Sequence, residues 1–364
     1  MSNTQSLERL FQSRSIHLVR GALFDTPPPP LPSDLDFQKL EGMMLGLAIG
    51  DALGNTTEGQ LPAQRGRVRG EIRDYLPNLR AAGVSAGLPS DDSQLAFWTL
   101  EQLIADAGFV PEHLASRFAS RRIFGIGGTV QRFLSNYEGG LPWYECGVPS
   151  AGNGALMRIA PMLVPHVRTP SVQLWADTAL GAMLTHNDAG STSACLAFVA
   201  MLWQLLAMNA PPSPSWWLEA YVQTTRDLEG DTLFEPRTDA IEPYEGPLWQ
   251  FTEQQVQAAY ERDASTLDAC NHWHSGAYLL ETMPCVIYIL MRHGHDPEEA
   301  IVRAVNDTRD NDTIAAIVGA AIGALHGKSV LPQRWITRLL GRTTGGDNGR
   351  VFALLDAARR TWWD

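Results

Sequence analysis

The sequence has no surplus of positive charge: 28 lysines and arginines stand against 40 aspartates and glutamates, a formal net charge of −12. A chain so charged offers no broad basic surface for a polyanion, which argues against nucleic-acid binding as its main task. Cysteine is sparse. Cys146, Cys195, Cys270 and Cys285 are the only four, and without CxxC spacing they are expected to be free, buried thiols rather than a disulfide frame or a zinc site. The longest apolar run, Gly42 to Gly50, is about half a membrane span. The first residues lack the basic-then-apolar pattern of a secretory signal, so a cytoplasmic protein without a membrane partner is expected. Strand-like alternation is scarce as well.

What is present is helical periodicity. The 364 residues, 45% hydrophobic, lie near the upper size for one hydrophobic core. Leu40, Met43, Met44, Leu47 and Ala48 repeat near 3.6 residues. The same period returns in Leu95 to Ile104, Leu174 to Leu184, Ser191 to Leu206, Tyr278 to Met291 and Ile314 to Leu325. Gly42, Gly46, Gly50 and Gly54 fall four apart, as do Gly319 and Gly323, and such side-chain-free stripes let a second helix approach closely. Before this body lies an arm with Arg9, Arg14 and Arg20 against Glu8, carrying Leu7, Leu10, Phe11 and Leu18 at helical spacing. A proline-rich spacer, Asp25 to Pro32, follows it. The division expected is residues 1–36 as arm and spacer and 37–364 as the helical body. The acidic stretch Asp227 to Pro247 reads as a surface loop.

Two acidic clusters precede apolar helices: Ser90-Asp91-Asp92-Ser93 before Leu95, and Asp310-Asn311-Asp312-Thr313 before Ile314. Taken singly, each suits helix capping, and Asp91 with Gln94 has capping-box spacing. Adjacent carboxylates such as Asp91 and Asp92 repel unless a cation lies between them, and hard divalent ions favour oxygen donors of this kind. Spacing alone does not bring the two clusters together.

Gly46 to Gly54 with Glu58 resembles the opening motif of the ADP-ribosylglycohydrolase family, which includes dinitrogenase-reductase-activating glycohydrolase. Four further stretches resemble that family's motifs in order: Ser90 to Gln94, Gly152 to Arg158, Thr185-His186, and Asp310 to Ile317. The resemblance implies an all-α protein, a single large orthogonal helical domain with an N-terminal extension. It implies that Ser90, Asp91, Asp92, Asp310, Asp312 and Thr313 hold two Mg²⁺ or Mn²⁺ ions, with Asp91 and Asp92 serving catalysis as well. Glu58 resembles the family's mobile catalytic glutamate. Ser150, Gly152, Asn153, Gly154 and His186 resemble its substrate-binding residues. The Ser150 to Gly154 loop would bring backbone amides to a diphosphate, and a helix from Ala155 would aim its positive end there.

Three departures bear on substrate choice. Ser90 stands for threonine, Asn311 for a small hydroxyl residue, and Thr308-Arg309 for two glycines, where Arg309 could close part of the pocket. His272 and His274, like His293 and His295, diverge on a helix, and no neighbouring acid completes either pair as a ligand set, so both pairs are assigned to structure. The activity implied is release of ADP-ribose from a protein side chain, arginine before serine-linked or free ADP-ribose derivatives. Two readings stand for the basic arm: a helix that packs on the main domain, or, by resemblance to bacterial relatives with such extensions, an immunity element that plugs an ADP-ribosyltransferase toxin.

Overall fold

The structure is a computed structural model describing residues 1–237, 241 and 243–364. Among the described residues sixteen α-helices are joined by loops and short 3₁₀ turns, and one small ribbon pairs Pro77–Asn78 antiparallel with Val84–Ser85. The fold is all-α, as the periodicity required.

Its axis is a helix pair. The Gln38–Gly54 and Asn311–His326 helices lie backbone to backbone along their length, because their glycine stripes face each other. A Cβ added at Gly46 would sit 2.0 Å from the Gly319 carbonyl oxygen, and one at Gly319 would sit 2.1 Å from that of Gly46. No side chain fits there. Both helices are apolar nearly all round, which is the pattern of a helix covered on every side. The Ala189–Ala207 helix is apolar enough for a membrane span by length and composition, but 89% of that window is buried inside the protein, against the Pro214–Glu229 and Asn311–His326 helices.

The N-terminal arm packs into this body. Its Asn3–Ser13 helix lies against the Gln173–Met183 helix, and Leu7, Leu10, Ile16 and Phe24 are buried in the common core. Polar contacts fix the rest. Asn3 Nδ2 donates to Asp177 Oδ1 at 2.6 Å, the Val19 amide donates to the Leu228 carbonyl, and the indoles of Trp175 and Trp203 donate to Thr26 and Pro29 carbonyls.

Two local expectations are corrected. The loop anticipated from Asp227 begins only at Gly230, because Leu228 and Glu229 remain helical and buried. The Glu229 carboxylate accepts from the Leu248 and Trp249 amides and so holds the start of the Leu248–Glu261 helix. Thr238, Asp239, Ala240 and Glu242 of that stretch lie outside the described residues. The helix expected from Ala155 is a three-residue 3₁₀ turn, Leu156–Arg158, followed by a second 3₁₀ segment, Ala160–His166. Pro161 and Pro165 lack amide donors, which removes rungs from an α-helical ladder there, and a three-residue turn has little of a helix dipole. The four cysteines are free and buried, as expected.

Candidate active site

The glycine contact sets the site. At its end a Cβ on Gly54 would fall 2.4 Å from the Asp312 amide nitrogen, so Asp51, three residues earlier, is carried alongside Asp312. Asp51 is fully buried. Its carboxylate accepts from the amides of Ser90 (3.0 Å) and Ser93 (3.1 Å) and from the Ser93 hydroxyl, which docks the N-terminus of the Asp91–Asp106 helix onto the pair. Three helix ends therefore meet, and the two acidic clusters from opposite parts of the chain come together.

The capping residue of the Asp91–Asp106 helix is Ser90, whose Oγ accepts from the Asp92 amide at 3.3 Å. The anticipated capping box at Asp91 does not form, since Asp91 is already the first helical residue. Asp310 makes no side-chain cap either. Its Oδ2 accepts from Asn153 Nδ2 at 2.6 Å, which ties the acid to the glycine loop.

A cavity of about 190 Å³ opens at this junction. Glu58, Asp91, Asp92, Gly152, Asn153, Gly154, His186, Asp310, Asp312 and Thr313 line it, ten of the twelve site residues expected from the sequence. The other two stand just behind it. Ser90 Oγ donates to Asp92 Oδ2 at 2.8 Å, and Ser150 Oγ hydrogen-bonds Thr129 Oγ1 at 3.0 Å. Arg309 is not among the lining residues: it lies beside the His274 ring, and its carbonyl accepts from the Gly59 amide at 3.1 Å. Asn311 also faces away, donating to Thr57 Oγ1 and the Val305 carbonyl. Both substituted positions thus support the loop that carries Glu58, as does buried Arg65, which donates to the Gln60 and Thr308 carbonyls.

The acids fit a divalent cation by their chemistry. Single oxygens of Asp51, Asp92 and Asp312 lie within 4.8 Å of one another, and so do those of Glu58, Asp310 and Asp312. Asp92 Oδ1 is buried with no hydrogen-bond partner. Burial, reinforced by the neighbouring negative charges, holds the Asp92 and Asp312 carboxyls well above the usual carboxylate range and pushes Asp91 up to about 8. Glu58 is exposed as a residue, yet its carboxyl turns inward and is raised too, first by burial and then by Asp310 and Asp51. Crowded, dehydrated carboxylates of this sort are relieved either by taking up protons or by a bound positive ion. Among the described residues no histidine joins either oxygen group.

Beside Asp310 the Gly152 to Gly154 loop is pinned to a neighbouring stretch of chain: the Asn153 amide donates to the Ala277 carbonyl at 3.0 Å, and the Leu279 amide to that of Ala151. The Asn153 amide is therefore spent within the protein. His186 stands behind the glycines, buried, with its carbon Cε1 2.9 Å from where a Gly154 Cβ would be.

Five further residues were given no role from the sequence. Asp51 lies within the Gly46 to Gly54 motif but carried no assignment of its own. Gly125, Gly127, Gly128 and Thr129, which close one side of the cavity, carried a readable signal in the run Gly125-Ile126-Gly127-Gly128. A larger cavity of about 500 Å³, lined by Glu219, Arg226 and Glu253 among others, lies between the Pro214–Glu229 and Leu248–Glu261 helices. It contains neither oxygen group nor glycine loop, and the smaller cavity is the candidate site.

Comparison with known proteins bears on the family and the fold. A family model described as ADP-ribosylglycohydrolase matches residues 32–361. The chain is 27% identical over 329 residues to a human protein named ADP-ribosylhydrolase ARH3, covering 82% of this chain and 88% of that one. It is 25% identical over 316 residues to ADP-ribosylarginine hydrolase Tri1 of Pseudomonas putida, covering 83% and 74%. A solved structure described as an ADP-ribosylglycohydrolase-related protein complex matches with a TM-score of 0.64 at 24% identity, covering 89% of this chain and 98% of that one. At that identity the likeness concerns the fold.

Proposed function

The chain belongs to the ADP-ribosylglycohydrolase family, and from that premise we propose that it hydrolyses the bond between ADP-ribose and an arginine side chain of a modified protein, using two Mg²⁺ or Mn²⁺ ions. The observation that carries the proposal is the meeting of Asp92 and Asp312 with Glu58 and Asp310 in one cavity beside the Gly152 to Gly154 loop, with buried Asp51 behind them in reach of Asp92 and Asp312. Arginine is chosen over other linkages because the Pseudomonas putida relative is named for it.

In this reading Asp91, Asp92, Asp310, Asp312, Thr313 and Ser90 hold the ions, together with Asp51. When bound, such ions supply positive charge that orients ribose hydroxyls. The remaining work falls to the chain. The glycine loop and His186 hold the ADP-ribosyl group, fixing the anomeric carbon relative to Glu58. Glu58 accepts a proton from water as the water oxygen bonds to that carbon and the carbon–nitrogen bond breaks; the departing guanidine takes up a proton from solvent. The catalytic unit is residues 37–364, and residues 1–36 buttress it. The packing of the arm supplies no evidence for a toxin-plugging role: Leu7 and Leu10 are buried against the body, while the basic Arg9 and Arg14 are exposed.

The test is release of ADP-ribose from an arginine-ADP-ribosylated protein with Mg²⁺, with chelator, and with Asp91→Ala and Asp312→Ala. Release that disappears in chelator and in both variants is expected. No release by the metal-loaded protein would overturn the arginine assignment. A second reading, serine-linked ADP-ribose, is kept because the human relative matches with similar identity and its name specifies no linkage. A serine-modified substrate in the same assay separates the two.

A further inference from the structure

Arg158 is a buried cation, 1% exposed, with no carboxylate beside it among the described residues. A charge placed so is costly unless it is well used. Its Nη2 donates to the Gly181 carbonyl at 3.0 Å and to Thr185 Oγ1 at 2.7 Å, its guanidinium lies over the Phe118 ring, and Nε has no partner.

The consequence lies one residue further on. Thr185 Oγ1 is 2.8 Å from His186 Nδ1, and Thr185 is fully buried. Since that oxygen already accepts from Arg158, its own hydrogen needs an acceptor, and among the described residues the only one in reach is His186 Nδ1. Were Nδ1 to carry the proton instead, the threonine hydrogen would be buried without a partner, which is the costly alternative. Nδ1 is thus an acceptor and Nε2 carries the proton. Nε2 has no protein partner among the described residues and faces the cavity beside the glycine loop, 3.2 Å from a Gly154 Cβ position and 3.4 Å from a Gly152 one.

We propose that Arg158 and Thr185 are positioning residues that lock His186 as a neutral imidazole protonated on Nε2, a hydrogen-bond donor aimed past Gly152 and Gly154 at an acceptor oxygen of the bound ADP-ribosyl group. The ligand half of this rests on the reading of the cavity given above. Burial and the Arg158 charge both oppose a second proton, pushing the imidazole down to about 3, so the donor stays neutral across the physiological range. The backbone holds the same alignment: the Val148 amide donates to the Thr185 carbonyl and the Asn187 amide to that of Val148, which fixes His186 beside the approach to the glycine loop.

The test combines ¹⁵N-histidine NMR of the intact protein, with His186 assigned by its loss in His186→Gln, and ADP-ribose binding by calorimetry. The wild type should show a neutral Nε2–H tautomer. Thr185→Val, which keeps shape and removes the hydroxyl, should mix the tautomers and weaken ADP-ribose about tenfold; Thr185→Ser should restore both. His186→Gln, whose amide nitrogen can stand in for Nε2, should bind better than His186→Asn. An Nδ1–H or doubly protonated signal in protein that binds ADP-ribose would overturn the relay, as would an unchanged tautomer in folded Thr185→Val. An Nε2–H signal in wild-type protein that fails to bind ADP-ribose would instead overturn the functional reading and the ligand half with it.

Discussion

Asp51 shows how a single acid can hold two assignments. Its oxygens accept from the amides of Ser90 and Ser93 at the start of the Asp91–Asp106 helix, and the same carboxylate completes an oxygen group with Asp92 and Asp312. Asp51→Asn keeps one acceptor oxygen for the helix and removes the charge. It is expected to raise the divalent-ion concentration needed for half-maximal activity 10- to 100-fold, with circular dichroism unchanged; an unaltered metal requirement would exclude Asp51 from the ion site. The raised carboxyls make a second prediction, about pH. Asp91, lifted to about 8 by burial before any neighbouring charge, binds its proton more tightly folded than unfolded. Its contribution to stability is therefore complete below about pH 4 and is lost as pH rises through about 8. In chelator the melting temperature should fall across that window, and Mg²⁺ should flatten the slope by taking the proton's place. The sequence displayed Asp91, Asp92, Asp310 and Asp312 openly as paired acids; Asp51 was hidden, because nothing about a lone acid in a glycine-rich helix says which residues it will face.

At the scale of elements the glycine stripes decide where the acids meet. Replacing Gly319 by valine would drive side-chain carbon into a backbone carbonyl 2.1 Å away, which neither helix can yield without separating. A loss of about 3 kcal/mol or more is expected, measured by urea unfolding, with metal-dependent activity falling in parallel as Asp51 and Asp312 part. Gly66→Ala is the control. No atom lies within 4 Å of its Cβ position in the Pro62–Arg69 helix, and helix propensity predicts a gain of about 0.5 to 1 kcal/mol. Both stripes were legible as four-residue spacing. That they would face each other was not, because close approach is a property of two surfaces and a sequence displays each separately.

Across the whole molecule, the arm behaves as part of the core. Leu7, Leu10, Ile16 and Phe24 are buried in the common core with Trp175, and the indoles of Trp175 and Trp203 donate to the Thr26 and Pro29 carbonyls of the spacer. Deleting residues 2–30 should lower the melting temperature by more than about 5 °C, since it uncovers several apolar side chains and a degree or two is the scale of a single weak contact in a chain of this size. An unchanged melting temperature would show that the arm is dispensable to the fold and reopen it as a surface for partners. Arg20, paired with Glu8 and Asp25, is part of this local fastening, so the basic character read along the arm is partly neutralised within it.

Periodicity, glycine spacing and paired acids are properties of consecutive residues, so the all-α class, the helical tracts and most of the acid set could be read along the chain. Which acid joins them, where Arg309 and Asn311 point, and which nitrogen of His186 carries its proton depend on groups far apart in sequence. Those are matters of who shares a buried space with whom, and burial is what turns a carboxylate into a cation's partner and a threonine hydroxyl into the arbiter of a tautomer.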